Sequence, residues 1–391
     1  MIELSESLGD DLKIKNNEMN QQEKHLINEL DEEFSKQESK CYRLKKSKIF
    51  LSVFILSVSS LSVFLLHLLL SIIKNSDIYD YPEGIMQIDT SENKDFSYNN
   101  LSKYNNISLL YCLNNLYKYI GMVSIASALY NADNTTILNF HIFLSKKEDK
   151  KIPKLIKSMK YMINNRSRFY FYHINDKKIK RTFGFSETGM FYRLLAAELI
   201  KDLDKIIYID GDTLVLKDLT EMYNLNLGDN YMLGTLEVIA GTYYAGKNIS
   251  NDYVNSGILF MNLTKMRNNK IYDKFKEYIS NPVTRKNIVM HDQCLINEVC
   301  KGKIGILKPK YGSINIYNDE KKHQLSRQRS PLAYTPQERE EGFKNAFIVH
   351  FKIWAEDTVP NYKDQWWNKY AKMTPVYKII EKKVKKNVKK N

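Results

Sequence analysis

An α/β fold built around a mainly parallel sheet is what this sequence predicts, and three observations carry the prediction. From about residue 107, short apolar runs alternate with longer helix-compatible ones. The stretch DKIIYIDGDTLVLKDL, residues 204–219, drives an apolar run straight into Asp210-Gly211-Asp212. Two further apolar runs, in YVNSGILFMNLTKMR (253–267) and AFIVHF (346–351), carry polar residues at one end. In parallel sheets ligands gather at the carboxyl ends of strands, which is where the carboxylate pair falls.

Taken in order, ISLLYCL (107–113) reads as a buried strand and KYIGMVSIASALYN (118–131) as a helix with one apolar face. LNFHIFL (138–144) is a second strand, KIPKLIKSMKYMI (151–163) a helix and FYFYHI (169–174) a third strand. ETGMFYRLLAAELI (187–200) reads as a strong helix that leads into the strand before Asp210. YVNSGILFMNLTKMR is a buried strand with Asn255-Ser256-Gly257 near its start, and MHDQCLINEVC (290–300) sets Asp292 and Gln293 against an apolar helical run.

The 391 residues, 43% of them hydrophobic and 27 of them tyrosine, supply a packed core and exclude global disorder. Much of the formal charge of +14 sits at RLKKSK (43–48) and KKVKKNVKKN (382–391), so we expect no nucleic-acid partner. The first cluster suits a membrane surface. Cys41, Cys112, Cys294 and Cys300 form no disulfide framework and no C-x-x-C zinc motif, although one pair among the last three stays open.

Ile49 to Ile73 contains no charged residue. At ~1.5 Å per residue such a run outreaches a hydrocarbon core of ~30 Å, so it reads as a single transmembrane helix. Arg43, Lys45, Lys46 and Lys48 precede it, which puts the N-terminus in the cytosol and the bulk of the chain on the far side. The expected organisation is a cytosolic polar tail (1–48), a signal anchor (49–73), a stalk (74–106), the α/β domain (107–378) and a basic tail (379–391).

Side chains two apart in an extended segment point the same way, so Asp210 and Asp212 can converge on one object. Gly211 between them lets the backbone turn and a bulky ligand approach. Two hard oxygens suit Mn²⁺ or Mg²⁺, although a bare D-x-D is also an ordinary solvated turn.

Six ordered motifs make the chain resemble glycosyltransferase family 8. They are FYRL (191–194), YIDGDTLVLKDL (208–219), VNSGILFMNL (254–263), HDQCLIN (291–297), VHF (349–351) and DQWWNKYAKMTP (364–375). The resemblance covers roughly residues 107–378 and implies a retaining enzyme of the GT-A (Rossmann-like) fold that uses a nucleotide sugar. By the same resemblance, Asp210, Asp212 and His350 would hold Mn²⁺, with Mg²⁺ as the alternative, against the diphosphate of a UDP-sugar. Tyr117 would pack on uracil with Asn114 at its edge, and Arg193 would face the phosphate or sugar. Asn255, Asp292 and Gln293 would surround the transferred sugar, the last two as catalytic residues. A helix N-cap is the plainer use of Asp292, a surface charge that of Arg193, and a core position that of His350.

The sequence departs from the family pattern in three places. Asn114 and Asn115 stand where an Asp is usual, and Cys294 stands where a third acidic residue is common. HFKIW (350–354) replaces a longer glycine-containing loop, which leaves Lys352 as the candidate to meet the diphosphate charge. The leading expectation is a Golgi (or endoplasmic reticulum) type II membrane enzyme that moves a hexose from a UDP-sugar to a glycan or glycoconjugate. A non-catalytic relative that binds a nucleotide sugar or glycan is the second reading.

Overall fold

The computed structural model describes residues 104–114, 117–148, 150–159, 162, 167–237, 252–314, 334–351 and 365–379. The cytosolic tail, the Ile49–Ile73 run, nearly all of the stalk, the end of the basic tail and Lys352 lie outside the described residues. Among the described residues, no helix is long and apolar enough to cross a membrane.

Strand β1 (Asn105–Leu113) is followed by helix α1 (Tyr117–Asn131), β2 (Thr136–Ser145), α2 (Lys151–Lys157) and β3 (Ser167–Ile174). After α3 (Asp176–Phe183) and a 3₁₀ segment (Gly189–Leu195) come β4 (Lys205–Ile209), β5 (Thr213–Val215), β6 (Met232–Leu236) and β7 (Val254–Asn262). Helices α4 (Leu263–Asn268), α5 (Ile271–Ser280) and α6 (His291–Val299) lead to β8 (Ile304–Ile306) and β9 (Ser313–Ile314). Helix α7 (Pro336–Lys344), β10 (Ile348–His350) and α8 (Gln365–Ala371) follow.

Seven strands form the main sheet in the order β3-β2-β1-β4-β7-β6-β8. β1 runs parallel to β2 and β4, and β2 to β3, as the strand–helix alternation predicts. β7 breaks the pattern by pairing antiparallel with both β4 and β6. That reversal has a consequence for the site: Ile209 pairs with Ile258, so the start of β7 lies beside the end of β4. A small second sheet, β5-β10-β9, lies where the chain continues past Asp212.

Both faces of the main sheet are covered, which is why its strands read as nearly continuous apolar runs. Alternate residues of β1 show the division: Leu109 and Tyr111 join one core, Leu110 the other. The first core packs α1 and α2 against Phe140, Ile142 and Phe169; the second packs the 3₁₀ segment, α5 and α6 against Phe143, Tyr208 and Leu259. The stack of Phe140 on Phe169, 4.8 Å between centroids, fixes β2 on β3.

Four boundaries differ from the sequence expectation. The expected stalk ends early, because Asn105 and Asn106 already pair with Thr136 and Ile137. The strand over 253–267 stops at Asn262, whose side chain accepts from Lys265 N and starts α4. The helix expected over 151–163 runs only from Lys151 to Lys157. The helix expected over 187–200 is mostly a tighter 3₁₀ coil, with α geometry only at Ala196–Leu199. Its cause is tethering: Thr188 and Tyr192 both donate to Asp176 at the head of α3, and Gly189 lies flush against the Asn114 amide. Cys112, Cys294 and Cys300 are all free thiols, which closes the question of a pair among them.

Phe140 has no exposed surface, so Phe140→Ala should cost about 3–5 kcal/mol of unfolding free energy, read as a shifted urea midpoint.

Candidate active site

The turn after β4 is held in one shape by its neighbours. Asp210 N donates to Gly257 O (2.8 Å), Thr213 Oγ1 to Asp210 O (2.9 Å) and Phe351 N to Asp212 O (3.0 Å). Beneath it, Thr213 Oγ1 meets Ser124 Oγ of α1 at 2.8 Å. A Cβ on Gly211 would stand 3.3 Å from Tyr117 O and 3.4 Å from the Gly121 Cα. The glycine therefore seats the turn on α1, and the close neighbour expected to be a ligand is a helix.

Asp210, Asp212 and His350 each offer a ligand atom, all within 4.8 Å of one another. His350 Nε2 lies 3.2 Å from Asp212 Oδ1 and 3.7 Å from Asp210 Oδ2. The ring's tautomer follows from its other side. Asn255 Oδ1 already accepts from Gly257 N at 2.9 Å, so at the 3.2 Å contact with His350 Nδ1 the histidine must be the donor. With Nδ1 engaged there, Nε2 is the ring atom that faces the two carboxylates. A set of two carboxylates and one imidazole at this spacing suits a divalent metal. A Cβ on Gly257 would fall 2.2 Å from His350 Cε1 and 2.7 Å from Asp210 Oδ2, so only glycine leaves room for this arrangement.

Arg193 links Asp210 to Ser256 and Asp292. Its Nη2 lies 3.0 Å from Asp210 Oδ1, its Nη1 donates to Ser256 O at 2.5 Å, and its plane covers the Tyr208 ring at 4.2 Å. Nε is 3.2 Å from Asp292 Oδ2, but its hydrogen points to Met190 O at 3.1 Å. Asp292 thus receives charge from Arg193 while Oδ2 keeps no hydrogen-bond partner. Burial works against the guanidinium's charge, yet Asp210 and Asp292 outweigh it and raise its pKa above the ordinary arginine value. Burial also raises the carboxyls of Asp210 and Asp292, with Arg193 opposing in both cases. Arg193 is 6% exposed, so it is no surface charge; Met290 holds the cap position of α6, so Asp292 is no helix cap.

Beyond the cluster lies a buried amide group. Gln293 Oε1 accepts from Asn255 Nδ2 and Ser256 N, both at 3.1 Å, which fixes its flip and turns its Nε2 toward Glu237 at 3.3 Å. Glu237 Oε2 also accepts from Asn255 Nδ2 at 2.8 Å. Sequence reasoning missed Glu237, although the signal was present: it ends the apolar β6 as Asp210 ends β4. Cys294 is buried and accepts from Met290 N at 3.0 Å, so the place of a third acid holds a helix-start acceptor. Asn114 and Tyr117 stand at the end of β1 and the start of α1, on the other side of the aspartates.

The chain belongs to glycosyl transferase family 8, whose family model matches residues 108–357. It is 26% identical to the general stress protein A of Bacillus subtilis over 46% of this chain and 63% of that protein. It is 24% identical to a lipopolysaccharide 1,2-glucosyltransferase of Escherichia coli over 52% of this chain and 61% of the relative. The chain thus spans less than two thirds of the length of these two relatives. The fold is shared with the galactosyltransferase LgtC, solved with donor and acceptor sugar analogs (TM-score 0.53, 17% identity, 68% of this chain and 95% of that one). It is also shared with the bifunctional glycosyltransferase WbbM (TM-score 0.56, 16% identity, 71% and 51%). The fold is therefore GT-A, with a mostly parallel sheet.

Gly257→Ala should push the His350 ring off its position and crowd Asp210 Oδ2, which lies 2.7 Å from the added Cβ. Calorimetric Mn²⁺ affinity should fall about tenfold or more, the scale of a lost supporting contact at a metal site, while the circular dichroism spectrum stays the same.

Proposed function

We propose that this protein is a Mn²⁺-dependent, retaining hexosyltransferase that moves glucose or galactose from a UDP-sugar to a glycan or glycoconjugate. One observation carries the reading: Asp210, Asp212 and His350 converge directly beside the buried polar group of Asn255, Asp292, Gln293 and Glu237. Two relatives, a lipopolysaccharide glucosyltransferase and a galactosyltransferase, support a hexose as the transferred sugar.

Asp210, Asp212 and His350 would hold the metal, which when bound supplies positive charge to a leaving diphosphate. Arg193 fixes the direction of Asp210 and Asp292. Asp292 Oδ2, buried and without a hydrogen-bond donor, offers an acceptor to a sugar hydroxyl. Gln293 is held rigidly by Asn255, Ser256 and Glu237, so its position relative to the sugar is set before substrate enters. Retention by double displacement needs a nucleophile under the anomeric carbon, and Gln293 and Asp292 are the side chains we assign beside it. Lys352 is the residue we assign to the diphosphate from the loop after β10.

We further propose that Ile49–Ile73 anchors the protein in the Golgi membrane, or that of the endoplasmic reticulum, with the catalytic domain in the lumen; the basic cluster before it supports this orientation. Sequons at Asn106 and Asn134 are exposed in the domain. A glycosidase-sensitive mass shift in a glycosylating host is expected, and digestion of the domain by protease added outside sealed vesicles would overturn the orientation.

Metal-dependent UDP release from a panel of UDP-sugars tests the activity and separates it from the non-catalytic alternative. Asp212→Asn should abolish release and weaken UDP binding, because the shape stays and the charge goes. Gln293→Ala should lower turnover far more than UDP affinity, the mark of an interaction made mainly in the transition state. UDP binding without release by the wild-type protein would establish the non-catalytic reading instead.

A further inference from the structure

Lys118 and Glu148 form an ion pair that the site described so far does not use. Lys118 Nζ lies 2.8 Å from Glu148 Oε1, and the two residues are 7% and 5% exposed. Lys118 follows Tyr117 in the first turn of α1, and Glu148 closes the 3₁₀ turn Lys146–Glu148 directly after β2. β1 and β2 stay in register to Leu113 and Leu144, so the pair stands on the same carboxyl rim as Asp210.

The order along that rim is informative. The strands run β2, β1, β4, β7, β6, and the polar groups at their ends run Glu148, Asn114, Asp210, Asn255 and Glu237. A nucleotide sugar is itself a line of nucleoside, diphosphate and sugar. With the diphosphate at the aspartates and the sugar beside Asn255 and Glu237, the nucleoside falls at the ends of β1 and β2. There Glu148 Oε2 is buried without a hydrogen-bond partner. An orphaned acceptor of this kind is costly unless something donates to it, and Lys118 is already committed to the other oxygen.

We propose that Glu148 recognises the nucleoside. Its Oε2 accepts a hydrogen bond from a ribose hydroxyl or a base N–H, and Lys118 positions the carboxylate by holding Oε1. The assignment rests on the nucleotide-sugar reading above. A pair that merely clipped α1 to β2 would alter stability and leave ligand preference untouched.

The test is calorimetry in Mn²⁺ on the full chain in detergent, with UDP, 2′-deoxy-UDP and inorganic pyrophosphate as ligands. The double variant Lys118→Met/Glu148→Leu removes both charges with apolar residues of similar size, a change buried pairs often tolerate. Lys118→Met/Glu148→Gln does the same but keeps an acceptor oxygen. The Leu variant should bind UDP about tenfold or more weakly, as for loss of a hydrogen bond to a charged group, and pyrophosphate as wild type does. The Gln variant should recover much of the UDP affinity, which also decides the matter should the Leu variant fail to fold. Weaker wild-type binding of 2′-deoxy-UDP than of UDP marks the 2′-hydroxyl as the partner; equal binding marks the 3′-hydroxyl or the base. Wild-type UDP affinity in both variants overturns the proposal alone, as does a parallel loss of UDP and pyrophosphate. Absence of UDP binding by the wild-type protein overturns the donor reading and this assignment with it.

Discussion

The burial of Arg193 among carboxylates is the constraint on which the rest of the site depends. A guanidinium taken out of water needs counter-charges at short range, and here Asp210 and Asp292 provide them. Asp212 and His350 join Asp210 in one cluster, their nearest polar atoms all within 4.8 Å of one another. Stacking on Tyr208 and donation to Ser256 O leave Arg193 little freedom to turn away. The side chain therefore works as a fixed pin between Asp210 and Asp292, two carboxyl groups that would otherwise repel one another.

Close approach is the second requirement, and absent side chains meet it. Gly257 clears space for His350, Gly189 lets the 3₁₀ segment lie on Asn114, and Gly211 lets the aspartate turn rest on α1. The antiparallel course of β7 matters as much. Were it parallel to β4, Asn255-Ser256-Gly257 would start at the far end of the sheet from Asp210.

Much of this was legible in the sequence, for reasons that can be stated. Strands buried on both faces leave apolar runs, and apolar runs that end in carboxylates mark strand ends; β4 with Asp210 shows both. The reversal of β7 left no such trace, because a buried strand reads the same in either direction. The 3₁₀ segment was misread because Phe191, Leu194 and Leu195 suit a helix locally, whereas tethers to Asp176 from twelve and sixteen residues away set its pitch. Glu237 was overlooked because a lone carboxylate lacks the D-x-D pattern that draws notice. The partnership of Asn255 with His350 spans ninety-five residues and could only be seen in three dimensions.

β10, which carries His350, pairs with β5 across a gap of more than a hundred residues. During synthesis the aspartate turn leaves the ribosome long before its histidine partner exists. A nascent chain therefore carries Asp210 and Asp212 before His350, and the cluster cannot close until the later segment docks. Any cation held by this cluster would therefore be captured only after the small sheet has formed. An ion bound there would stabilise only the finished fold, which would link metal supply to protein lifetime.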